Sequence, residues 1–392
     1  MVNEFIVFFD QKYTIFYYIF ELANYSFIAF IALLFRHFQL INNSSFWTWL
    51  GLMFTPLVFN YFLFDANFFG DQSLYTFEAV DMQLDYDMPN NPNSMKEEWW
   101  TSTTMLTGKI LSFIPLPMLM TITSLAFANK LILFLFFVWA SKFMNQDRLI
   151  LFFLIPSLVL YSSLSLRDNL IIVFGSIFLI NLVNRKYLLS LLFLAPLYIL
   201  KVQNFSFFLV AFIGNFIFQT HKSALGIFLY FTSFVIFSFI MQEQILEVIN
   251  LYRVAFAAED SIGGYADFTY YTDTTYLDLN SLMDFLYASM IALPNFMFMP
   301  LPWNWTSPLY PIQFLESVLL FFILCSLIYK YKLHRNLYFY SLFISFFVGL
   351  MVYSVLAMNE GTFVRYRFSF FFPYLIAFYY IGERHKAEKK LE

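Results

Sequence analysis

A group of carboxylates near the start of the chain could provide general-base chemistry. Asp71 lies in the segment 69–75, and Glu78 and Asp81 follow it. Their spacing is helical, so a helix would place all three on one face. Such carboxylates can deprotonate a sugar hydroxyl or bind a divalent cation. The alternative is a solvated acidic loop.

A second candidate group combines opposite charges in the tight turn 163–169, between two apolar runs. Arg167 and Asp168 are adjacent there, and such charges in a membrane protein are costly unless they have partners or a function. Arg167 could hold a lipid-linked phosphate. Alternatively, Asp168 caps a helix while Arg167 extends toward the headgroups. Lys201, after a later run, could attract the same pyrophosphate or anchor the interface.

Two arginines precede the last apolar run. Arg365 and Arg367 lie close to Glu360, on the predicted outer side, where the positive-inside rule disfavours them. Arginine binds phosphate through two parallel hydrogen bonds and keeps its charge, which makes both residues candidate phosphate ligands. Arg253 is a candidate for the same role, and Glu360 is a candidate carboxylate.

Two tryptophans lie in the proline-containing segment 300–305. Indole rings such as those of Trp303 and Trp305 stack on sugar rings, and their N–H groups can donate to hydroxyls. An interfacial tryptophan belt is the alternative. The four histidines all fall in segments predicted to be cytoplasmic. Chemistry on the outer side would therefore use carboxylates, Arg, Lys, Tyr and Trp, which disfavours a histidine-bound zinc.

Cations beside carboxylates form a plausible arrangement for glycosyl transfer. The cations would hold a diphosphate leaving group, and stabilisation of its charge would be the main catalytic contribution. A carboxylate would activate the attacking hydroxyl, and a divalent cation is a candidate cofactor, although no metal motif is defined. The predicted catalytic residues are Asp71, Glu78, Asp81, Asp168 and Glu360. The predicted substrate-binding residues are Arg167, Lys201, Arg253, Trp303, Trp305, Arg365 and Arg367.

The elements that must position these residues are membrane helices. Of the 392 residues, 60 % are apolar and only 12 % are charged, whereas soluble domains have about 25 % charged residues. A membrane span needs about 20 apolar residues. The sequence predicts an all-α polytopic membrane protein with about eleven spans in a single transmembrane domain, 1–392. The apolar runs are 14–35, 46–64, 118–141, 148–165, 168–184, 187–203, 205–220, 223–242, 311–330, 336–357 and 366–383.

The distribution of Lys and Arg predicts the orientation. These residues are concentrated in alternate loops and the C-terminal tail, which we therefore assign to the cytoplasm. Two long acidic and aromatic segments, 65–117 and 243–310, then form outer loops. Within them, 113–120 and 285–301 are apolar but short or broken by proline. We predict that they form helices lying in the outer interface or re-entering the membrane.

Several functional classes are excluded by the sequence. The one cysteine, Cys325, cannot form an intramolecular disulfide or a cysteine-based metal site. The chain has no Walker A loop, dinucleotide fingerprint, H-E-x-x-H or G-x-S-x-G motif. Its basic residues form only short clusters, so nucleic-acid binding is not expected.

With these features, the chain resembles bacterial inner-membrane enzymes of polysaccharide assembly, namely O-antigen and capsule polymerases (Wzy-type) and GT-C class glycosyltransferases. The order of interfacial helices, hydrophobic hairpins, a second large loop and late spans is similar to the GT-C arrangement. The matching motifs are Gly70-Asp71-Gln72…Tyr75, Ser165-Leu166-Arg167-Asp168 and Asn359-Glu360-Gly361-Thr362…Arg365-Tyr366-Arg367.

The resemblance implies an undecaprenyl-linked sugar donor, an acceptor glycan and catalysis on the periplasmic face of the inner membrane. It implies that Asp71 is the base and that the arginines hold the donor diphosphate. The expected function is polymerisation of O-antigen or capsule repeats, for which a chain-length regulator could be a further partner. A GT-C transferase that adds one sugar from a polyprenyl-phosphate donor is the alternative.

A lipid-linked oligosaccharide flippase is an alternative from another class, and a non-catalytic scaffold is a third. A transporter would need a polar path across the bilayer, marked by ionisable residues inside the spans. Only Glu21, Lys130 and Glu316 are predicted there. Because charge is concentrated on one face instead, the sequence favours an active site at the membrane surface.

Overall fold

The computed structural model of the protein describes residues 15–64, 72, 75–76, 78–79, 98–119, 121–220, 224–262, 279–305, 309–333, 336–356 and 360–391. Every secondary-structure element within these ranges is helical. The predicted all-helical class is therefore confirmed.

The described residues form a series of α-helices. In chain order they are α1 (Ile15–His37), α2 (Asn43–Val58), α3 (Glu98–Ser112), α4 (Ile122–Ala140), α5 (Gln146–Phe153), α6 (Pro156–Ser162), α7 (Asp168–Val183), α8 (Tyr187–Leu200), α9 (Val202–Thr220), α10 (Ala224–Ile240), α11 (Gln242–Ile262), α12 (Leu282–Phe298), α13 (Tyr310–Lys330), α14 (Leu337–Leu356) and α15 (Glu360–Leu391). A π-helical turn (Phe59–Leu63) extends α2, and a 3-10 turn (Pro302–Asn304) follows α12.

Several of these helices are suited to a membrane. Among the described residues, 5 helices are long and apolar enough to cross one, or up to 6 if a pair bent by 72° forms one broken span. They are Tyr18–His37, Asn43–Leu63, Ile122–Ala140, Tyr310–Lys330 and Tyr338–Leu356, and the bent pair is Phe228–Ile240 with Gln242–Arg253.

The predicted count of about eleven spans is not confirmed. Other predicted spans do fall on apolar helices, but some of these helices are short. α7 has 16 residues, which gives a length of about 24 Å against about 30 Å for a bilayer core. α8 is shorter still, with 14 residues.

One predicted span is broken. The apolar run 148–165 forms the short helices α5 and α6, separated at Leu154 and Ile155. Pro156 starts α6, and the preceding Ile155 is extended, with φ −59° and ψ 125°. Proline disfavours helical geometry at the residue before it and cannot donate a backbone hydrogen bond. The break therefore follows from the proline within the run.

The outer-loop helices were predicted only in part. The expected helix at 113–120 is wrong over its described residues 113–119, which are not helical. α3 instead ends just before this segment, where Pro115 and Pro117 prevent its continuation. The expected helix at 285–301 exists as α12, which ends at Phe298. Whether α12 lies in the interface stays a prediction.

The chain forms two compact units. Unit 1 contains residues Met1–Gly175 and Ala195–Val202, and unit 2 contains Ser176–Leu194 and Gln203–Glu392. The core of unit 1 is centred on the fully buried indole of Trp49 in α2. Its ring lies 5.3 Å from Phe134, 5.5 Å from Phe137 and 5.4 Å from Phe153 between centroids. Trp49 thus joins α2, α4 and α5.

The core of unit 2 is built from aromatic residues of α14 and α15. The ring of Phe346 lies 5.7 Å from Phe370 and 5.1 Å from Tyr374. The hydroxyl groups of Tyr374 and Ser345 form a hydrogen bond of 2.9 Å. Gly349 faces the ring of Phe370 so closely that any side chain would overlap it. Aromatic packing therefore fixes these two helices against each other.

Candidate functional site

The turn 163–169 in unit 1 is held by side-chain amides. Its residues 163–166 are buried and not helical, so their backbone groups need partners elsewhere in the protein. Asn60 donates from Nδ2 to the Ser163 carbonyl at 2.9 Å. Asn129 donates to the carbonyls of residues 164 and 166 at 2.8 and 3.0 Å. Gln72 accepts from the Ser165 N–H at 3.1 Å and from its hydroxyl at 3.2 Å.

We call the side chains of Asn60, Gln72 and Asn129 the amide cradle. All three residues are at least nine-tenths buried. Asn60 lies on the π-helical turn after α2, Asn129 lies on α4, and Gln72 belongs to the first predicted outer loop. The cradle therefore draws three distant parts of the chain onto one short turn.

Lys130, the residue after Asn129, binds the helix α6, which precedes the turn. Lys130 is fully buried and donates from Nζ to the Ser162 hydroxyl at 2.7 Å and to the Val159 carbonyl at 3.2 Å. On the other side of the turn, Asn169 of α7 donates to the main-chain oxygen of Asn129 at 2.8 Å. Two adjacent residues of α4 thus make these contacts: Lys130 binds α6, and Asn129 binds the turn and the start of α7.

Gln72 brings two predicted groups of site residues together. Gln72 is helical, as are Thr76, which donates to the Gln72 carbonyl at 2.8 Å, and Glu78; we call these described residues the helical stretch of Glu78. The contact of Gln72 with Ser165 places this stretch at the turn that carries Arg167 and Asp168. Asp168 is buried and is the first residue of α7, whereas Arg167 is half-buried. Asp71 and Asp81 lie outside the described residues.

α3 packs against the same stretch. A Cβ atom placed on Gly108 would lie 2.5 Å from Cβ of Glu78 and 2.9 Å from the Ala79 nitrogen, so only glycine fits. The other end of α3 is tied to α8, because Thr103 donates to the Ile199 carbonyl at 2.9 Å. Lys201, which is buried, follows α8 directly. Unit 1 therefore links the surroundings of Glu78, Arg167, Asp168 and Lys201 through a continuous set of contacts.

In unit 2, Arg367 binds the end of a helix. Its guanidinium donates from Nη1 to the carbonyls of Phe296, Met297 and Met299 at 3.0, 2.9 and 3.1 Å. The C-terminal end of a helix attracts a cation because its carbonyls are unpaired. Arg367 is buried and so caps α12. Its predicted contact with substrate stays a prediction.

The capped end of α12 leads directly to the tryptophan segment. Trp305 donates from Nε1 to the Pro300 carbonyl at 3.2 Å, and 41 % of it is exposed. Trp303 is 72 % exposed. Arg365 is half-buried on α15, whose first residue is Glu360. Sugar stacking by the indoles also stays a prediction.

Arg253 has a local partner. It is buried and donates to the Asn250 side-chain oxygen at 3.2 Å. Asn250 in turn pairs with both backbone groups of Leu279, donating at 3.1 Å and accepting at 3.2 Å. Arg253 therefore orients the amide that holds the residues before α12. Its role in binding phosphate stays a prediction.

Within the described ranges, no three Asp, Glu, His or Cys side chains lie close enough together to hold a metal ion. A divalent cation as cofactor therefore has no defined ligand set in this part of the chain. The roles predicted for Asp71 and Asp81 are not affected by this observation, because both lie outside the described residues.

The buried amides are not among the site residues that the sequence predicts. Asn24, Asn60 and Asn129 are asparagines within apolar runs, and each hydrogen-bonds a non-helical segment distant in the chain. A buried amide in a membrane helix is expensive without a partner. That cost is a signal that the sequence carries, although it does not identify the partner.

Comparisons with known proteins give no further indication of identity: no protein-family model, no curated protein and no solved structure matches this chain.

Proposed function

We propose that this protein transfers a glycosyl group from an undecaprenyl-linked donor at the outer face of a bacterial inner membrane. Polymerisation of O-antigen or capsule repeats is the form that we favour. This proposal includes about eleven spans, two outer loops and a GT-C-like arrangement, of which the shorter apolar helices would supply the additional crossings.

The observation that carries the proposal is the contact between Gln72 and Ser165. It links the helical stretch of Glu78 with the turn of Arg167 and Asp168, although Gln72 and Ser165 are 93 positions apart. Two segments whose residue types favour the same chemistry are thus in contact within unit 1. An amide held at 3.1 Å by a backbone N–H is a specific contact.

The proposed reaction uses these groups as follows. A hydroxyl oxygen of the acceptor glycan attacks the anomeric carbon of the donor sugar, and the bond from that carbon to the diphosphate oxygen breaks. The hydroxyl proton passes to a carboxylate, for which Asp71, Glu78 and Asp168 are the candidates. Arg167 and Lys201 stabilise the departing undecaprenyl diphosphate, which leaves with the bonding electron pair.

A flippase is the second candidate, because three ionisable residues predicted within spans are buried. Glu21, Lys130 and Glu316 all have exposures of 5 % or less. Two of them bind protein groups: Glu21 accepts from Thr121, and Lys130 donates to Ser162. Such engaged groups are better suited to fixing helices than to lining a path, so we favour the enzyme.

The test is the glycan made by a deletion strain complemented with single variants. Arg167→Ala should remove long-chain glycan while the protein remains at its normal amount in the membrane. Arg167→Lys is the matched control and should retain partial function, since it keeps the charge but loses bidentate binding. Normal long-chain glycan from Arg167→Ala would contradict the proposal.

The deletion strain itself separates the candidates. Single-repeat glycan supports a polymerase, and truncated or unmodified glycan supports a transferase that adds one sugar. Lipid-linked repeats that accumulate in the cytoplasm would instead support the flippase. Purified protein in nanodiscs with a lipid-linked oligosaccharide should release undecaprenyl diphosphate if it is a polymerase.

A further inference from the structure

We propose that Gln72 and Asn129 are positioning residues, which hold the turn 163–169 from opposite sides and thereby fix Arg167 and Asp168 for substrate. This inference rests on the proposed function for the role of the two charged residues. The hold on the turn itself is independent of that function and can be tested separately.

The two amides act on one peptide group. Asn129 donates to the carbonyl of Leu164 at 2.8 Å, and Gln72 accepts from the N–H of Ser165 at 3.1 Å. Both groups belong to the peptide bond between Leu164 and Ser165. In a trans peptide the C–O and N–H bonds point in opposite directions, so Asn129 and Gln72 must lie on opposite sides of the turn.

The hydrogen bonds have opposite polarity. Asn129 acts only as a donor toward the turn, because the carbonyls of residues 164 and 166 take hydrogen bonds from its Nδ2. Gln72 acts only as an acceptor, because its Oε1 receives both the N–H and the hydroxyl of Ser165. Exchange of an amide for an isosteric carboxyl group must therefore have different effects at the two positions.

The remaining polar atoms of both side chains support this assignment. Gln72 Nε2 and Asn129 Oδ1 are buried and have no hydrogen-bond partner among the described residues. A buried polar atom without a partner is costly. The bonds to the turn are thus the only contacts that these two amide groups make with described polar groups, and they account for the presence of amides at these positions.

The experiment compares isosteric substitutions at each position. Gln72→Glu keeps the acceptor oxygens, whereas Gln72→Met keeps the unbranched shape and removes them. Asn129→Asp removes the donors and turns an oxygen toward the two carbonyls. Asn181→Asp is the matched control, because within the described part of the chain the Asn181 amide donates only to Ile177 of its own helix, at 2.8 Å.

The first readout is hydrogen exchange of peptides covering the turn in purified protein. Exchange at Ser165 should be about tenfold faster in Gln72→Met, the change expected when one hydrogen bond is lost. It should be unchanged in Gln72→Glu and in Asn181→Asp. Unchanged exchange in Gln72→Met would overturn the proposal.

The second readout is glycan synthesis in cells with equal amounts of each protein. Gln72→Met and Asn129→Asp should lower the yield of long-chain glycan. Gln72→Glu should keep the yield near that of the unaltered protein. A merely structural contribution would not give rescue by Gln72→Glu at equal protein amount. Faster exchange in Gln72→Met with normal glycan would overturn the positioning role.

The result that would contradict the proposed function differs from the results that would contradict the hold on the turn. If Arg167→Ala makes normal glycan while Gln72→Met still exchanges faster, the turn is held as described but does not bind the donor. In that case the positioning role in glycosyl transfer is overturned together with the proposed function, and only the structural hold on the turn remains.

Discussion

The side-chain amide of Asn24 pairs edge to edge with the peptide group of Met118. Nδ2 donates to the Met118 carbonyl at 2.7 Å, and Oδ1 accepts from the Met118 N–H at 3.1 Å. Asn250 forms the same two-bond pair with Leu279 in unit 2. In both units, therefore, the side chain of an asparagine on a helix satisfies both backbone groups of a residue outside the helices.

Asn24→Asp should destabilise unit 1. The carboxylate cannot donate to the Met118 carbonyl, and it would lie beside Glu21, whose side chain is 3.5 Å from the Asn24 amide. We expect the free energy of unfolding to fall by about 1–3 kcal/mol, which should be seen as a lower melting temperature in detergent. Asn43→Ala is the control, because Asn43 is exposed and accepts a hydrogen bond from the neighbouring Arg36 at the surface. An equal melting temperature for both variants would contradict this prediction.

Arg367→Met should lower stability and alter the end of α12. Methionine replaces the apolar part of the arginine side chain, but the three carbonyls that Arg367 binds lose their hydrogen-bond donor. We expect the free energy of unfolding to fall by about 1.5–3 kcal/mol, since the donor is charged. Hydrogen exchange in residues 296–305 should also become faster.

Arg365→Met is the informative comparison for Arg367. Arg365 is half-buried, and if it binds substrate, its substitution should reduce glycan synthesis with little change in melting temperature. A large loss of stability in Arg365→Met, with normal glycan from the protein that remains, would show that both arginines are structural.

Gly108→Ala should displace the helical stretch of Glu78. A new methyl group would lie 2.9 Å from the Ala79 backbone nitrogen, which cannot move aside as a side-chain end could. Overpacking of this kind costs about 1–3 kcal/mol, and we expect reduced glycan synthesis as well.

Gly51→Ala is the matched control for Gly108→Ala. Gly51 is an exposed position inside α2, and no atom of another described part of the chain lies within 4 Å of a Cβ placed there. Alanine there should raise stability by about 0.5–1 kcal/mol through helix propensity. The two variants should thus shift the melting temperature in opposite directions, and shifts of the same sign would contradict the packing described for α3.

Trp49→Ala should be the most destabilising of these substitutions. Trp49 is fully buried among three phenylalanine rings, and removal of such a side chain costs about 3–5 kcal/mol. Trp47→Ala provides the comparison, because Trp47 is 64 % exposed. Its effect should be within about 0.5 kcal/mol. Comparable losses at the two positions would argue against the core of unit 1.

The sequence was sufficient to predict the helical class and the approximate position of many helices. Apolar runs long enough for a helix have few alternatives in a membrane, because the backbone must satisfy its own hydrogen bonds. The number of spans was harder to predict. Pro156 divides one run, and α7 and α8 contain only 16 and 14 residues, whereas a span needs about 20.

The candidate site could be predicted only as separate pieces. The residue types in 70–75 and 163–169 marked both segments, but their contact depends on Gln72 and Ser165, which are 93 positions apart. No local periodicity encodes such a pairing. Arg367 illustrates the opposite difficulty, since a conspicuous cation in the sequence caps α12, whose C-cap residue Met299 lies 68 positions earlier.

The amide cradle has a consequence for how the protein is made. Asn60, Gln72 and Asn129 all precede the turn that they hold, as does Lys130. When the turn is synthesised, the residues that hydrogen-bond to it have therefore already been made. A nascent chain that stops in α7 therefore already contains the whole amide cradle, together with the turn that the cradle holds.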